Sequence, residues 1–415
     1  MGSLGNGYCS ESLGRRMVGT RFVVMLFMLE VFQTVSCASI QDEEIVIREK
    51  RNESYNPSAD LNDFREVLRM WKKESFGKLK SGKECSLYTA DTGTGVRISI
   101  TDYGISLVSF VFTHSERDVL LGFDDVTGYE KHDFYSGCIV GRVTSRTANG
   151  KFHIDDKEYQ LSLNNNNDTH LHGGFVGLSR VVWDCQIVGD TLQFSHTQPD
   201  GTDGYPGNME LLVTVSIKTK SPGGRIPGTF LSLDMCASCD QATPVNLTFH
   251  PYFNMDGQES GCALDNKLTV FDYEGYLPMD PDTILPTGEI LPTRGTPFNL
   301  DISRIRDVIG DVPGGYDHSF SLCSKPGFLV PAAEIASKDE RYRIRILTDQ
   351  PGIHVYSGNY LDGTEGKGGA VYDKHAGIAL EAQNFPNAVN VPSFPSCILR
   401  KGEEYKRNIT FSFCF

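Results

Sequence analysis

The sequence predicts an all-β protein built of antiparallel sheets stacked face to face. Apolar and polar residues alternate along short runs, as in Val96, Ile98 and Ile100, or Leu211, Val213, Val215 and Ile217. That period of two belongs to strands with one buried face. Turn-forming residues separate the runs, and no long amphipathic helix intervenes between them. Many short strands with turns between them argue for stacked sheets in one domain.

Taken in order, residues 1–37 read as a cleaved signal peptide. Arg15, Arg16 and Arg21 precede the apolar run Phe22 to Phe32, and the small residues Ser36 and Ala38 follow. The run is short for a membrane span, and the mature chain has no second one, so secretion without a membrane anchor is expected. A cytoplasmic location follows if the segment is not a functional signal. Residues 38–84 form a charged lead-in, in which Leu61, Phe64, Val67, Leu68 and Trp71 recur at helical spacing behind a capping Asp60. The β-domain is expected over residues 85–415.

Within it, Asp102-Tyr103-Gly104 supplies a turn. Phe152 and Ile154, then Tyr159 and Leu161, form a hairpin over Asp155-Asp156-Lys157. Leu192 and Phe194 follow a Gly189-Asp190 turn, a long strand ends at a loop over residues 221–228, and Ile344 with Ile346 make another strand. Ile409, Phe411 and Phe413 give a final strand at the C-terminus.

Composition bounds the function. The 415 residues, 39% hydrophobic, can bury a large core. A net charge of -14 argues against a nucleic-acid partner. Two of the eleven cysteines, Cys9 and Cys37, fall in the leader, which leaves an odd number. Cys236 and Cys239 lack a second pair at zinc-site spacing and, on a strand, would point to opposite faces. Sequons occur at Asn52, Asn167, Asn246 and Asn408, with Asn246 the least accessible by its context. Nothing in the chain specifies an oligomeric state.

The chain is organised around TPVNLTFHPYFN, Thr243 to Asn254, which sets His250 among alternating apolar residues. Around it stand NNNNDTHLHGG (Asn164 to Gly174), DGTDGYPGN (Asp200 to Asn208), GGYDHSF (Gly314 to Phe320) and LEAQNFPNAVN (Leu380 to Asn390). In this order the stretches resemble the galactose mutarotase, or aldose 1-epimerase, family, over roughly Leu87 to Phe413. The resemblance implies a large twisted antiparallel β-sandwich, the mutarotase-like supersandwich, with its site in an open cleft. It also implies a free aldohexose such as galactose or glucose as the small-molecule substrate.

Interconverting the anomers of a hexose needs a base to take the anomeric hydroxyl proton and an acid to protonate the ring oxygen. The ring opens to an aldehyde, the aldehyde turns its other face, and the two groups exchange roles to close it. No metal, cofactor or covalent intermediate is required. The resemblance makes Glu381 the base and His250 the acid; Ile378, Ala379 and Leu380 suggest that Glu381 is partly buried, which would raise its basicity. His172 in LHGG matches a histidine that bonds the sugar near the ring oxygen, with Gly173 and Gly174 allowing close backbone approach. Arg146 in GRVTSRTANG, Asp317 in GGYDHSF and Gln350 in TDQPG match residues that hold other hydroxyls. Two positions depart from the family pattern. Ser145 stands where an asparagine usually precedes the arginine, which affects the neighbouring hydroxyl, and Phe249 stands where an asparagine usually precedes the histidine.

Four alternatives compete. A secreted, non-catalytic carbohydrate-binding protein would keep the cleft without turnover. A metal hydrolase would recruit His170, His172 and His250 as ligands. A glycosidase would pair Glu381 with Asp317. A hexose-phosphate epimerase would need several basic residues at the cleft, of which only Arg146 can be placed.

Overall fold

Alternation decides which face of each strand meets the core, and the strands sort into three main sheets accordingly. The structure, a computed structural model, describes residues 71–219, 229–271, 273–301 and 303–415, all within one unit, 59–415. The predicted leader, the helical pattern before Trp71 and the loop 221–228 lie outside the described residues. The first sheet runs in chain order through Lys72–Lys78, Glu84–Asp91, Val96–Thr101, Leu107–Phe112 and Arg117–Asp118. Lys72–Lys78 falls inside the expected lead-in yet pairs with Glu84–Asp91, so sheet pairing begins earlier than the sequence suggests. Its exposed side chains, with only Phe76 buried, hide the period-two signal of an edge strand.

A second, nine-stranded sheet holds the hairpin Asp184–Val188 and Thr191–Gln198, followed by Met209–Thr219 and Thr229–Cys239. The C-terminal strand Tyr405–Cys414 inserts between Thr229–Cys239 and Arg343–Thr348, and the remaining strands continue outward from there. Cys236 and Cys239 lie on opposite faces of their strand, as expected. The third sheet, in the order Tyr252–Phe253, Ile378–Gln383, Gly352–Tyr356, Asp317–Leu322 and Tyr273–Tyr276, carries the site.

One apolar core joins the three. Ile98, Ile100 and Phe110 enter it from the first sheet, Val213, Leu233 and Phe411 from the second, and Phe320, Ile353 and Leu380 from the third. Phe110 meets Phe411 and Phe413 edge-on at 5.7 and 5.1 Å and lies 6.3 Å from Phe253. Such pairs add about 0.5–1.5 kcal/mol each beyond area burial.

The organising segment is not one strand. Thr243-Pro244 pairs with Ile398-Leu399, Thr248-Phe249 with Ile139-Val140, and Tyr252-Phe253 with Ile378-Ala379. Between these pairings the buried Asn246 donates to the Asn384 carbonyl at 3.1 Å and accepts from its N–H at 2.8 Å. That burial explains why Asn246 is closed as a sequon, whereas Asn167 is exposed.

Candidate active site

The third sheet turns one face to the core and the other to a cleft of about 430 Å³. Along Ile378–Gln383, Ile378, Leu380 and Ala382 go inward, which sends Glu381 to the opposite face. On the neighbouring strand Ile353 and Val355 go inward and His354 goes outward. His354 stands directly across from Glu381 on one side and Ser319 on the other. Asp317 projects from the start of that third strand into the same cleft.

His250 arrives from the organising segment. Its N–H donates to the Cys138 carbonyl at 3.0 Å and its carbonyl accepts from Gly137 at 2.9 Å, so backbone bonds fix the ring against the sheet. The neighbouring Phe249 points away into the core, as strand geometry requires. His250 Nε2 lies 3.4 Å from Glu381 Oε1. Both side chains are almost fully buried, and His250 Nδ1 and Glu381 Oε2 have no hydrogen-bond partner among the described residues. Burial lowers the pKa of His250, opposed by the Glu381 carboxylate. Tyr252 at 4.8 Å and Tyr135 at 6.2 Å between ring centroids flank the imidazole with apolar faces.

His172 follows Leu171 with φ of 52°, a left-handed conformation. Gly173 beyond it has φ of 89°, and a Cβ there would sit 1.7 Å from the Gly141 carbonyl oxygen, so only glycine fits. The Ser145 N–H donates to His172 Nδ1 at 3.2 Å. That bond leaves Nε2 to carry the proton when the ring is neutral. Burial, then the positive fields of His250, Arg146 and His354, holds His172 well below the usual histidine range. Gln383 Nε2 donates to the Ser145 hydroxyl at 3.0 Å, so Ser145 places His172 and is itself held from the glutamate strand.

Arg146 and Asp317 also line the cleft, with Arg146 Nη1 3.6 Å from Asp317 Oδ2. The other oxygen, Asp317 Oδ1, accepts from His354 Nε2 at 2.8 Å. Burial would raise the Asp317 pKa, but the hydrogen bond and attraction of His354, then Arg146, bring it down to about 2. A carboxyl held that low stays ionised near neutrality and so presents acceptors, not a proton, to the cleft.

The structure brings six of the seven expected site residues, Glu381, His250, His172, Arg146, Asp317 and Ser145, around one cleft. Gln350 is the exception. Its buried Nε2 donates to the Leu247 carbonyl at 2.8 Å and the Tyr405 hydroxyl at 3.2 Å, so it braces the segment before Thr248 and does not line the cleft. The cleft position belongs to His354, four residues on, whose placement between Ile353 and Val355 was the available signal. Tyr135, Tyr252 and Tyr356 were also missed as cleft walls. His170 does not join the others: Nδ1 is 2.7 Å from the Ser162 carbonyl and Nε2 is 2.7 Å from the Tyr205 hydroxyl. With both nitrogens engaged, it is not offered to a metal.

This β-sandwich with a histidine and a carboxylate in contact beneath an open cleft has close counterparts among known proteins. Residues 86–412 match the aldose 1-epimerase family model. Human galactose mutarotase is 38% identical over 345 residues, covering 81% of this chain and 97% of that protein. Aldose 1-epimerase of Escherichia coli is 31% identical over 346 residues, covering 80% and 96%. Among solved structures, an aldose epimerase homologue from C. elegans aligns with a TM-score of 0.69 at 27% identity, over 77% of this chain and 96% of that one. Galactose 1-epimerase from Lactobacillus acidophilus gives 0.69 at 26%, over 83% and 98%. The chain belongs to the aldose 1-epimerase family.

Proposed function

We propose that this aldose 1-epimerase interconverts the α and β anomers of free hexoses such as galactose and glucose, with Glu381 as base and His250 as acid. The observation that carries the assignment is the buried contact of 3.4 Å between them in the wall of the cleft, with His250 Nδ1 and Glu381 Oε2 buried and without hydrogen-bond partners among the described residues. Glu381 takes the anomeric hydroxyl proton while His250 protonates the ring oxygen. The C1–O5 bond breaks to give the aldehyde, rotation presents its other face, and the reverse transfers close the opposite anomer. Such acid–base assistance contributes about a hundred- to ten-thousand-fold in rate. His172, as a neutral donor, suits a sugar oxygen near the acid; Arg146 and Asp317 suit hydroxyls further round the ring.

The leader-like order of residues 1–37 supports export of the mature chain, with residues 38–84 as a lead-in that includes the first strand. Polarimetry of freshly dissolved α-galactose and α-glucose with purified protein tests the activity and the preference together. Accelerated decay of both rotations to their equilibrium values is expected, whereas no acceleration with either sugar favours the binding-protein reading.

A further inference from the structure

Asp317 belongs to a chain of bonded side chains that runs across two strands. Ser319 Oγ lies 2.8 Å from His354 Nδ1, and His354 Nε2 lies 2.8 Å from Asp317 Oδ1. Ser319 and His354 are cross-strand partners, 1% and 5% exposed, so the register of the sheet holds the imidazole between hydroxyl and carboxylate. On the far side, the contact of Asp317 Oδ2 among the described residues is the long one of 3.6 Å to Arg146. A carboxylate offers about four acceptor positions on two oxygens and, left free, can turn. Here one oxygen is occupied from within the protein and the other faces the cleft beside a guanidinium.

We propose that His354 is a positioning residue for sugar recognition: it commits Asp317 Oδ1 to the protein so that Oδ2, beside Arg146, is the oxygen left to accept a sugar hydroxyl. Ser319 Oγ, hydrogen-bonded to Nδ1, orients the imidazole so that its Nε2–H points at Asp317. His354 therefore acts on substrate through Asp317, not on the anomeric centre, although it stands directly across from the base. The inference rests on Asp317 as a sugar ligand.

The test is steady-state kinetics of anomer interconversion with His354→Leu and His354→Gln. Loss of one charge-assisted hydrogen bond predicts that His354→Leu raises KM about tenfold while kcat changes less than about threefold. His354→Gln, which keeps a terminal N–H donor, should hold KM within about threefold of the parent. With a panel of monodeoxy sugars, the His354→Leu penalty should vanish for the one sugar that lacks the hydroxyl bound by Asp317, because the two losses remove the same contact. An unchanged KM in His354→Leu, or an equal loss with every deoxy sugar, overturns the inference. Should His354→Leu fail to fold, Ser319→Ala carries the test: it should raise KM in the parent but not in the His354→Gln background, and equal effects in both overturn the proposal. An inactive parent enzyme would instead contradict the epimerase reading itself.

Discussion

Burial holds the imidazoles of His172 and His250 below their ordinary range and lowers His318 to about 4. A group whose pKa is depressed on folding binds fewer protons in the native state, so stability is present above its unfolded pKa and lost as pH falls through its folded one. Melting temperature should therefore decline as pH drops from about 6.5, the unfolded histidine value, towards 4. It should decline again as Asp317 is protonated between 3.8 and about 2. Thermal melts across this range check the sign; a rising melting temperature between pH 6.5 and 4 would contradict it. Gln350 gives a second prediction at this scale. Gln350→Ala strands the buried Leu247 carbonyl and removes one of the two bonds to the Tyr405 hydroxyl, so stability should fall by about 1–3 kcal/mol in denaturant titration with KM unchanged. A raised KM with unchanged stability would return Gln350 to the sugar. Its local motif resembled a ligand, but motif position carries no side-chain direction, and only the sheet register shows that His354 holds the cleft position.

At the scale of elements, the strand is what converts sequence into a site. Alternation along Ile378–Gln383 and Gly352–Tyr356 places Glu381 and His354 on one face because Leu380, Ile353 and Val355 anchor the other. A slip of one residue would send both polar groups into the core. Ile353→Ala, at a fully buried position, should cost about 2–5 kcal/mol of stability while leaving KM of the folded enzyme near the parent value. A large KM change without destabilisation would show that the strand senses substrate directly. Period-two runs made the central strands and the hairpin over Asp155 legible in the sequence. The segment around His250 was less so, since its three two-residue pairings join three different partners and each is too short to show a period. Lys72–Lys78 was missed because only Phe76 of its seven residues is buried.

For the whole molecule, a single apolar core gathers three sheets, and the last strand, Tyr405–Cys414, closes the nine-stranded sheet at its centre. The site is therefore assembled from segments as distant as Ser145 and Glu381, linked through Gln383. N-terminal sequencing of material from the culture medium should begin near residue 38; Met1 retained on intracellular protein would remove the export reading. The chemistry assigned to the assembled site needs only side-chain proton transfers, so exhaustive chelation should leave the rate unchanged. A loss restored by zinc would contradict that. The most direct test of the central claim compares parent and Glu381→Gln by polarimetry on freshly dissolved α-galactose, with sugar affinity measured separately by calorimetry. Removing the base while keeping its shape should lower kcat at least about a hundredfold with affinity largely retained. Turnover by Glu381→Gln at the parent rate would contradict the assignment of Glu381 as the base.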